Sequence, residues 1–214
     1  MRRILKALVV ETPFYHILRN RLVRRRHDRE LRDWLSKGKP VPPPHKVKQE
    51  VLREYALRYN LRILVETGTH YGDMVEALKR HFTRIYSIEL SRQLFEKSKK
   101  RFKADNHIEL IHGDSSKELG CIMRKLDQPA LFWLDGHYSG GITAQGEKDT
   151  PIYEELEHIF NASHLRHVVI IDDARCFGSD PAYPMMEDLK NYVFSKRSNT
   201  RIEIENDIIR IIPS

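Results

Sequence analysis

Val65-Glu66-Thr67-Gly68-Thr69-His70-Tyr71-Gly72-Asp73 is an apolar run that ends in an acid and opens into two glycines with three residues between them. Such a turn from strand to helix brings backbone close to a ligand with no Cβ in the way, and the amide end of the following helix favours an anionic group. An ordinary tight turn would look the same. The G-x-G-x-x-G pattern of dinucleotide sites is absent, because His70 and Asp73 stand where its second and third glycines would be.

Working outward, β-rich runs alternate with helical stretches. Ile63-Leu64-Val65 precedes a helix near Asp73 to His81, Ile85 to Ile88 precedes Arg92 to Phe102, and Ile108 to Ile111 precedes Ser116 to Leu126. Ala130 to Leu134, a helix near Ile152 to Phe160, Val168 to Ile171 and a helix near Met185 to Phe194 continue the pattern. Alternation of this kind builds a parallel sheet with helices on both faces. The ending differs: Arg201 to Glu205, the turn-like Asn206-Asp207 and Ile208 to Ile212 read as an antiparallel hairpin. The expected fold is therefore α/β: a doubly wound, Rossmann-like, seven-stranded sheet, mostly parallel, closed by a C-terminal β-hairpin.

Ligands of such sheets bind beyond the carboxyl ends of the strands. Glu66 ends the first run, and Glu89, 21 residues after Gly68, ends the second. Glu89 could accept from a ribose diol or act as a helix N-terminal acid before Ser91. Asp114-Ser115 follows the third run, where Asp114 could accept from an adenine amino group, cap the next helix, or both. Asp135 follows the fourth run and Asp172-Asp173 the fifth. If those two strands are neighbours, three carboxylates converge where like charges repel, which calls for a cation. Oxygen donors without cysteine suit Mg²⁺, Ca²⁺ or Mn²⁺ better than zinc. The competing reading has Asp135 touch a cofactor while Asp172 or Asp173 caps the next segment.

These residues resemble the class I S-adenosylmethionine-dependent methyltransferases, and among them the metal-dependent O-methyltransferases of the catechol and macrocin type. The resemblance covers about residues 47 to 212 and rests on Val65-Glu66-Thr67-Gly68 with Gly72, on Glu89, on Gly113-Asp114, on Leu134-Asp135-Gly136-His137 and on Ile171-Asp172-Asp173. It implies that Glu66, Gly68, Thr69 and Gly72 hold the methionine part of S-adenosyl-L-methionine, Glu89 the ribose, and Asp114 with Ser115 the adenine. Asp135 would lie beside the cofactor and, with Asp172 and Asp173, hold Mg²⁺ or another divalent cation. His137 is the expected general base, since imidazole titrates near neutrality; an orienting or structural role is the alternative. The catechol-type lysine, three residues after the first metal aspartate, is replaced by Tyr138. Ser139 to Thr150 reads as a lid or a surface connection, and Arg175 as a contact to an anionic substrate or a partner of the neighbouring acids.

Composition limits the rest. Cys121 and Cys176 are the only cysteines and form no CxxC pair, so a disulfide framework and a thiolate metal site lack support. Apolar runs such as Ala7 to Val10 fall well short of the roughly 20 residues that span a bilayer. No export signal is legible at the N-terminus, so the expected location is cytoplasmic. The charge is uneven: residues 1 to 50 hold 14 Lys and Arg against 5 Asp and Glu, and the remainder 23 against 25. We therefore divide the chain into a basic helical arm (1–37), a proline-rich linker (38–46) and a methyltransferase domain (47–214). In the arm, Thr12-Pro13 begins a helix to about Leu35, with Phe14, Leu18 and Leu22 at helical spacing and a polar stretch from Arg24 to Glu30.

The expected activity is O-methylation of a hydroxyl on a small molecule or a glycan. RNA methylation is the alternative raised by the arginines. It is disfavoured by the slightly acidic body and by the lack of an Asn-Pro-Pro-Tyr-type motif after the fourth strand. A non-catalytic protein that retains the fold is the third reading. For the arm the options are peripheral contact with the inner membrane surface, packing on the body, or packing in a homodimer.

Overall fold

A computed structural model describes residues 13–136, 150–161 and 165–214, with side chains from residue 18 onward within those ranges. His137, Tyr138 and the stretch from Ser139 to Asp149 lie outside the described residues, as does Thr12 of the helix start. Packing divides the chain into two units, residues 1–48 and 49–214.

In the first unit, α1 (Pro13–Ser36) runs one residue beyond the expected end. It closes where Lys37 N–H donates to Asp33 O and Gly38 N–H to Leu35 O, with Gly38 and Lys39 both at positive φ. Trp34 Nε1 donates to Pro40 O at 2.7 Å, so the proline segment folds back on the helix end. That segment forms neither helix nor strand, as its prolines dictate. The division at 48/49 falls inside α2 (His45–Arg58), past the linker, because α2 is one continuous helix.

The second unit is built on a seven-stranded sheet of β1 (Ile63–Thr67), β2 (Arg84–Glu89), β3 (Ile108–His112), β4 (Ala130–Leu134), β5 (Val168–Ile171), β6 (Thr200–Glu205) and β7 (Ile208–Pro213). Its order is β3-β2-β1-β4-β5-β7-β6. The pairings from β3 through β5 are parallel, and β7 is antiparallel to both β5 and β6. Asn206 and Asp207, both at positive φ, form the two-residue turn of the hairpin. Between strands lie α3 (Asp73–Leu78), α4 (Arg92–Arg101), α5 (Ser115–Met123), α6 (Ile152–Asn161) and α7 (Met186–Lys196). Helix α3 is shorter than expected, since His81 N–H reaches back only to Leu78 O and the last turn tightens.

Strand alternation sorts the core into two layers. Ile63, Val65, Phe132, Leu134, Val169 and Ile171 meet α5, α6 and α7 on one face. Leu64, Leu131, Trp133, Val168 and Ile170 meet α3 and the Val51, Leu52, Tyr55 side of α2 on the other. Near-continuous apolar strands are thus required, because both faces are covered. Arg210, on β7, is one buried exception: it donates to Glu205 O and Ile208 O and lies over the Tyr55 ring at 5.7 Å.

The chain runs outward from β1 to β2 and β3, then returns to place β4 on the other side of β1. The crevice at that reversal is where doubly wound sheets take ligands. Gly72, at φ 73°, caps α3 from the left-handed region, and a Cβ there would stand 2.5 Å from Cε2 of Phe102. Gly72→Ala is therefore expected to destabilise the fold by about 1–3 kcal/mol, read as a lowered melting temperature. Phe102→Leu should cost less in the Gly72→Ala background than in the wild type. Strictly additive losses would show that the ring does not set the requirement for glycine.

Candidate functional site

The turn after β1 is drawn tightly over the sheet. Gly68 and Thr69 N–H groups both donate to Ile88 O of β2, while Asp135 N–H, just past β4, donates to Thr67 O at 3.2 Å. Gly68 has φ 87°, and a Cβ on it would lie 2.5 Å from Asp135 O. The β1 turn and the β4 end thus meet across the crevice, and only glycine fits between them. Behind the turn, Thr69 Oγ1 and Ser87 Oγ are 2.6 Å apart, and Ser87 Oγ donates to Glu66 Oε2 at 2.5 Å.

Glu66 lies inside β1 and is buried. Burial pushes its carboxyl up to about 8 despite the Ser87 hydrogen bond, and the charges of Asp135 and Glu89 push the same way. Glu89, the last residue of β2, accepts from His70 N–H at 2.7 Å and from Ser91 N–H at 2.8 Å. Burial raises its carboxyl too, with the two amides opposing. Those amides hold the carboxylate at the mouth of the turn, and each oxygen retains a second lone pair for a ligand. Asp114 caps α5: Oδ1 accepts from Ser116 N–H at 2.9 Å and Ser116 Oγ at 2.7 Å, which leaves Oδ2 for a ligand. Ser115, the first residue of α5, is buried beside it.

Asp135, Asp172 and Asp173 each present a carboxylate oxygen, and these atoms lie within 4.8 Å of one another. Adjacency of β4 and β5 brings the first two together, with Asp172 N–H donating to Leu134 O at 3.1 Å. Asp173 joins them through its backbone. Consecutive residues of a strand point to opposite faces, but Asp173 adopts φ 56°, ψ 46° as the chain turns into a 3₁₀ segment (Ala174–Cys176).

Arg175 Nη1 donates to Asp173 Oδ1 at 2.7 Å and also to Asp207 Oδ2, while Arg175 N–H donates to Asp207 Oδ1 at 2.7 Å. Burial works against the guanidinium charge, but Asp207 and Asp173 outweigh it and hold Arg175 above its ordinary range. Arg175 is thus shared between Asp173 of the acid cluster and Asp207 of the hairpin turn. The acids also act on Tyr183, whose phenol is raised by burial and then by Asp173, Cys176, Asp135 and Asp180. Tyr183 and Phe177, with rings 5.2 Å apart, border a small cavity with Leu134, Gly136, Thr150 and Ile152.

Of the residues expected from sequence, Gly68, Thr69, Gly72, Glu89, Asp114 and Ser115 lie at or past the ends of β1, β2 and β3 on one side of the switch point, Glu66 is buried behind the turn against Ser87, and Asp135, Asp172 and Asp173 gather on the other side. Arg175 pairs with the acids. Ser87, Tyr183 and Asp207 were not anticipated. Ser87 was detectable as the single polar residue within Ile85-Tyr86-Ser87-Ile88; nothing local marks the other two as site residues.

Glu66 gives a pH test. Its unfolded carboxyl ionises near 4.5 and its folded one near 8, so between those values the folded state binds more protons and rising pH destabilises it. The slope from this group is at most roughly 1.4 kcal/mol per pH unit. Glu66→Gln should remove it: the variant gains on the wild type in melting temperature from about pH 5 to about pH 8, and the gap is level above. Parallel melting profiles across that range would show that Glu66 carries no proton.

No protein-family model matches the chain, and no curated protein matches it by sequence. Solved structures do match its fold. An O-methyltransferase from Streptomyces achromogenes involved in tomaymycin synthesis, determined with S-adenosylmethionine, aligns with a TM-score of 0.57 at 17% identity, over 87% of this chain and 89% of that one. An O-methyltransferase from Bacillus cereus, determined with S-adenosylhomocysteine, gives 0.57 at 14%, over 86% and 89%. A putative caffeoyl-CoA O-methyltransferase from Staphylococcus aureus gives 0.56 at 15%, over 92% and 100%. The sheet order, the antiparallel hairpin and these alignments together show that the chain has the class I methyltransferase fold.

Proposed function

We propose that the protein transfers the methyl group of S-adenosyl-L-methionine to a hydroxyl oxygen of a small-molecule or glycan acceptor, assisted by a divalent cation. The observation that carries this reading is the convergence of Asp135, Asp172 and Asp173 immediately across the Gly68 turn. Three oxygen donors within 4.8 Å of one another, no cysteine among them, fit a hard cation such as Mg²⁺.

On the cofactor side, the Gly68 to Gly72 turn with Thr69 would take the methionine portion, Glu89 the ribose diol, and Asp114 Oδ2 with Ser115 the adenine edge. In the reaction the methyl carbon leaves sulfur as it bonds to the acceptor oxygen, the hydroxyl proton passes to a base, and S-adenosylhomocysteine departs. Much of the rate gain comes from holding acceptor and methyl donor in line. The Phe177 and Tyr183 rings offer apolar surface near the acids against which an acceptor would be steadied. A divalent cation bound there would ease ionisation of the acceptor hydroxyl and fix its orientation. His137 remains our choice of base by its place two residues after Asp135.

Calorimetric titration of the full chain with S-adenosylhomocysteine, with and without Mg²⁺ or Mn²⁺, is the direct test. Saturable binding is expected, and its absence in folded protein would overturn the reading. In a methyl-transfer screen over phenolic and sugar hydroxyls, Asp135→Ala and Asp172→Ala should each lower turnover on the order of 100-fold or more and abolish sensitivity to EDTA. Metal-independent turnover that both variants preserve would remove the cation from the scheme.

A further inference from the structure

We infer that the outer face of α1 is a docking surface for an anionic phospholipid bilayer. With 3.6 residues per turn, Leu18, Arg21, Leu22, Arg25, Arg29 and Arg32 fall within an arc of about 100°, opposite the buried His27 and Trp34. All six are exposed, Leu18 by 42% and Leu22 by 65%. Asp28 and Asp33 border the arc, and Glu30 is paired off on the flank with Arg26 at 3.5 Å. Among the described residues no ion pair engages Arg21, Arg25, Arg29 or Arg32.

The combination selects the occupant. A stripe of arginines alone would suit any polyanion, but two exposed leucines inside it gain nothing from a phosphate backbone and gain burial from acyl chains. A second copy of α1 would set arginine against arginine. No described helix is long and apolar enough to cross a membrane, so α1 would lie in the plane of the headgroups, leucines down and arginines among the phosphates.

Co-sedimentation of the full chain with phosphatidylcholine vesicles, with and without phosphatidylglycerol, tests this at low and high salt. Binding is expected only with phosphatidylglycerol. Arg25→Gln and Arg29→Gln should each weaken it about fivefold, and Leu18→Ser with Leu22→Ser together by at least about tenfold. Since these side chains are exposed, circular dichroism should show unchanged helix content. No sedimentation with phosphatidylglycerol at low salt, or binding indifferent to the leucine substitutions, overturns the proposal. So does tighter binding to a short RNA duplex than to the vesicles, or a dimer in lipid-free buffer that those substitutions dissociate.

Discussion

The site depends on the approach of Gly68 to the backbone carbonyl of Asp135, where a Cβ would stand 2.5 Å from the oxygen. It occurs where the sheet reverses direction, between β1 and β4, and fixes how far the crevice can open. Everything on the ligand side of the sheet is hung from that meeting point. The amides of Gly68 and Thr69 are tied to β2 through Ile88 O, which sets the position of His70 N–H and through it the carboxylate of Glu89. On the other side, Asp135 follows directly on Leu134, whose carbonyl receives the Asp172 amide. One backbone contact therefore registers both halves of the site against each other.

The electrostatics follow from that geometry. Bringing acids to adjacent strand ends concentrates negative charge, and the neighbours record it: Glu66 retains a proton to about 8, and Tyr183 is held well above the usual phenol range. Burial is the larger cause in both, and the acid charges add to it. Such a region disfavours anions and would hold a small cation or the positive sulfonium of a methyl donor. Glu66 in its protonated form also avoids adding a further charge beneath the turn.

Much of the architecture was legible because it depends on periodicity. The alternation of apolar strands and helices, the hairpin at Asn206-Asp207 and the strand-end acids are local signals, and the observed strands match them to within two residues at each end. The clustering of Asp172 with Asp173 was expected from proximity in sequence, yet its mechanism was not, since alternation alone would send the two carboxylates apart. Only the left-handed backbone at Asp173 reconciles them, and aspartate tolerates that conformation without advertising it. Ser87 could be noticed as a polar residue in an apolar strand, whereas Tyr183 and Asp207 reach the site by tertiary packing, and the turn signal at Asp207 says nothing of the arginine it meets. The end of α3 was misplaced for a related reason: a tightened last turn leaves no mark in composition.

The C-terminal hairpin does more than complete the sheet. Its turn residue Asp207 receives both the backbone amide and the guanidinium of Arg175, and it is buried. In its absence Arg175 would have Asp173 as its nearest carboxylate and could settle over the acid cluster as a built-in counterion. Asp207 acts instead as a decoy. It diverts part of the arginine's charge away from the cluster, so the last two strands, remote in sequence from the glycine turn, help set the charge at the ends of β4 and β5.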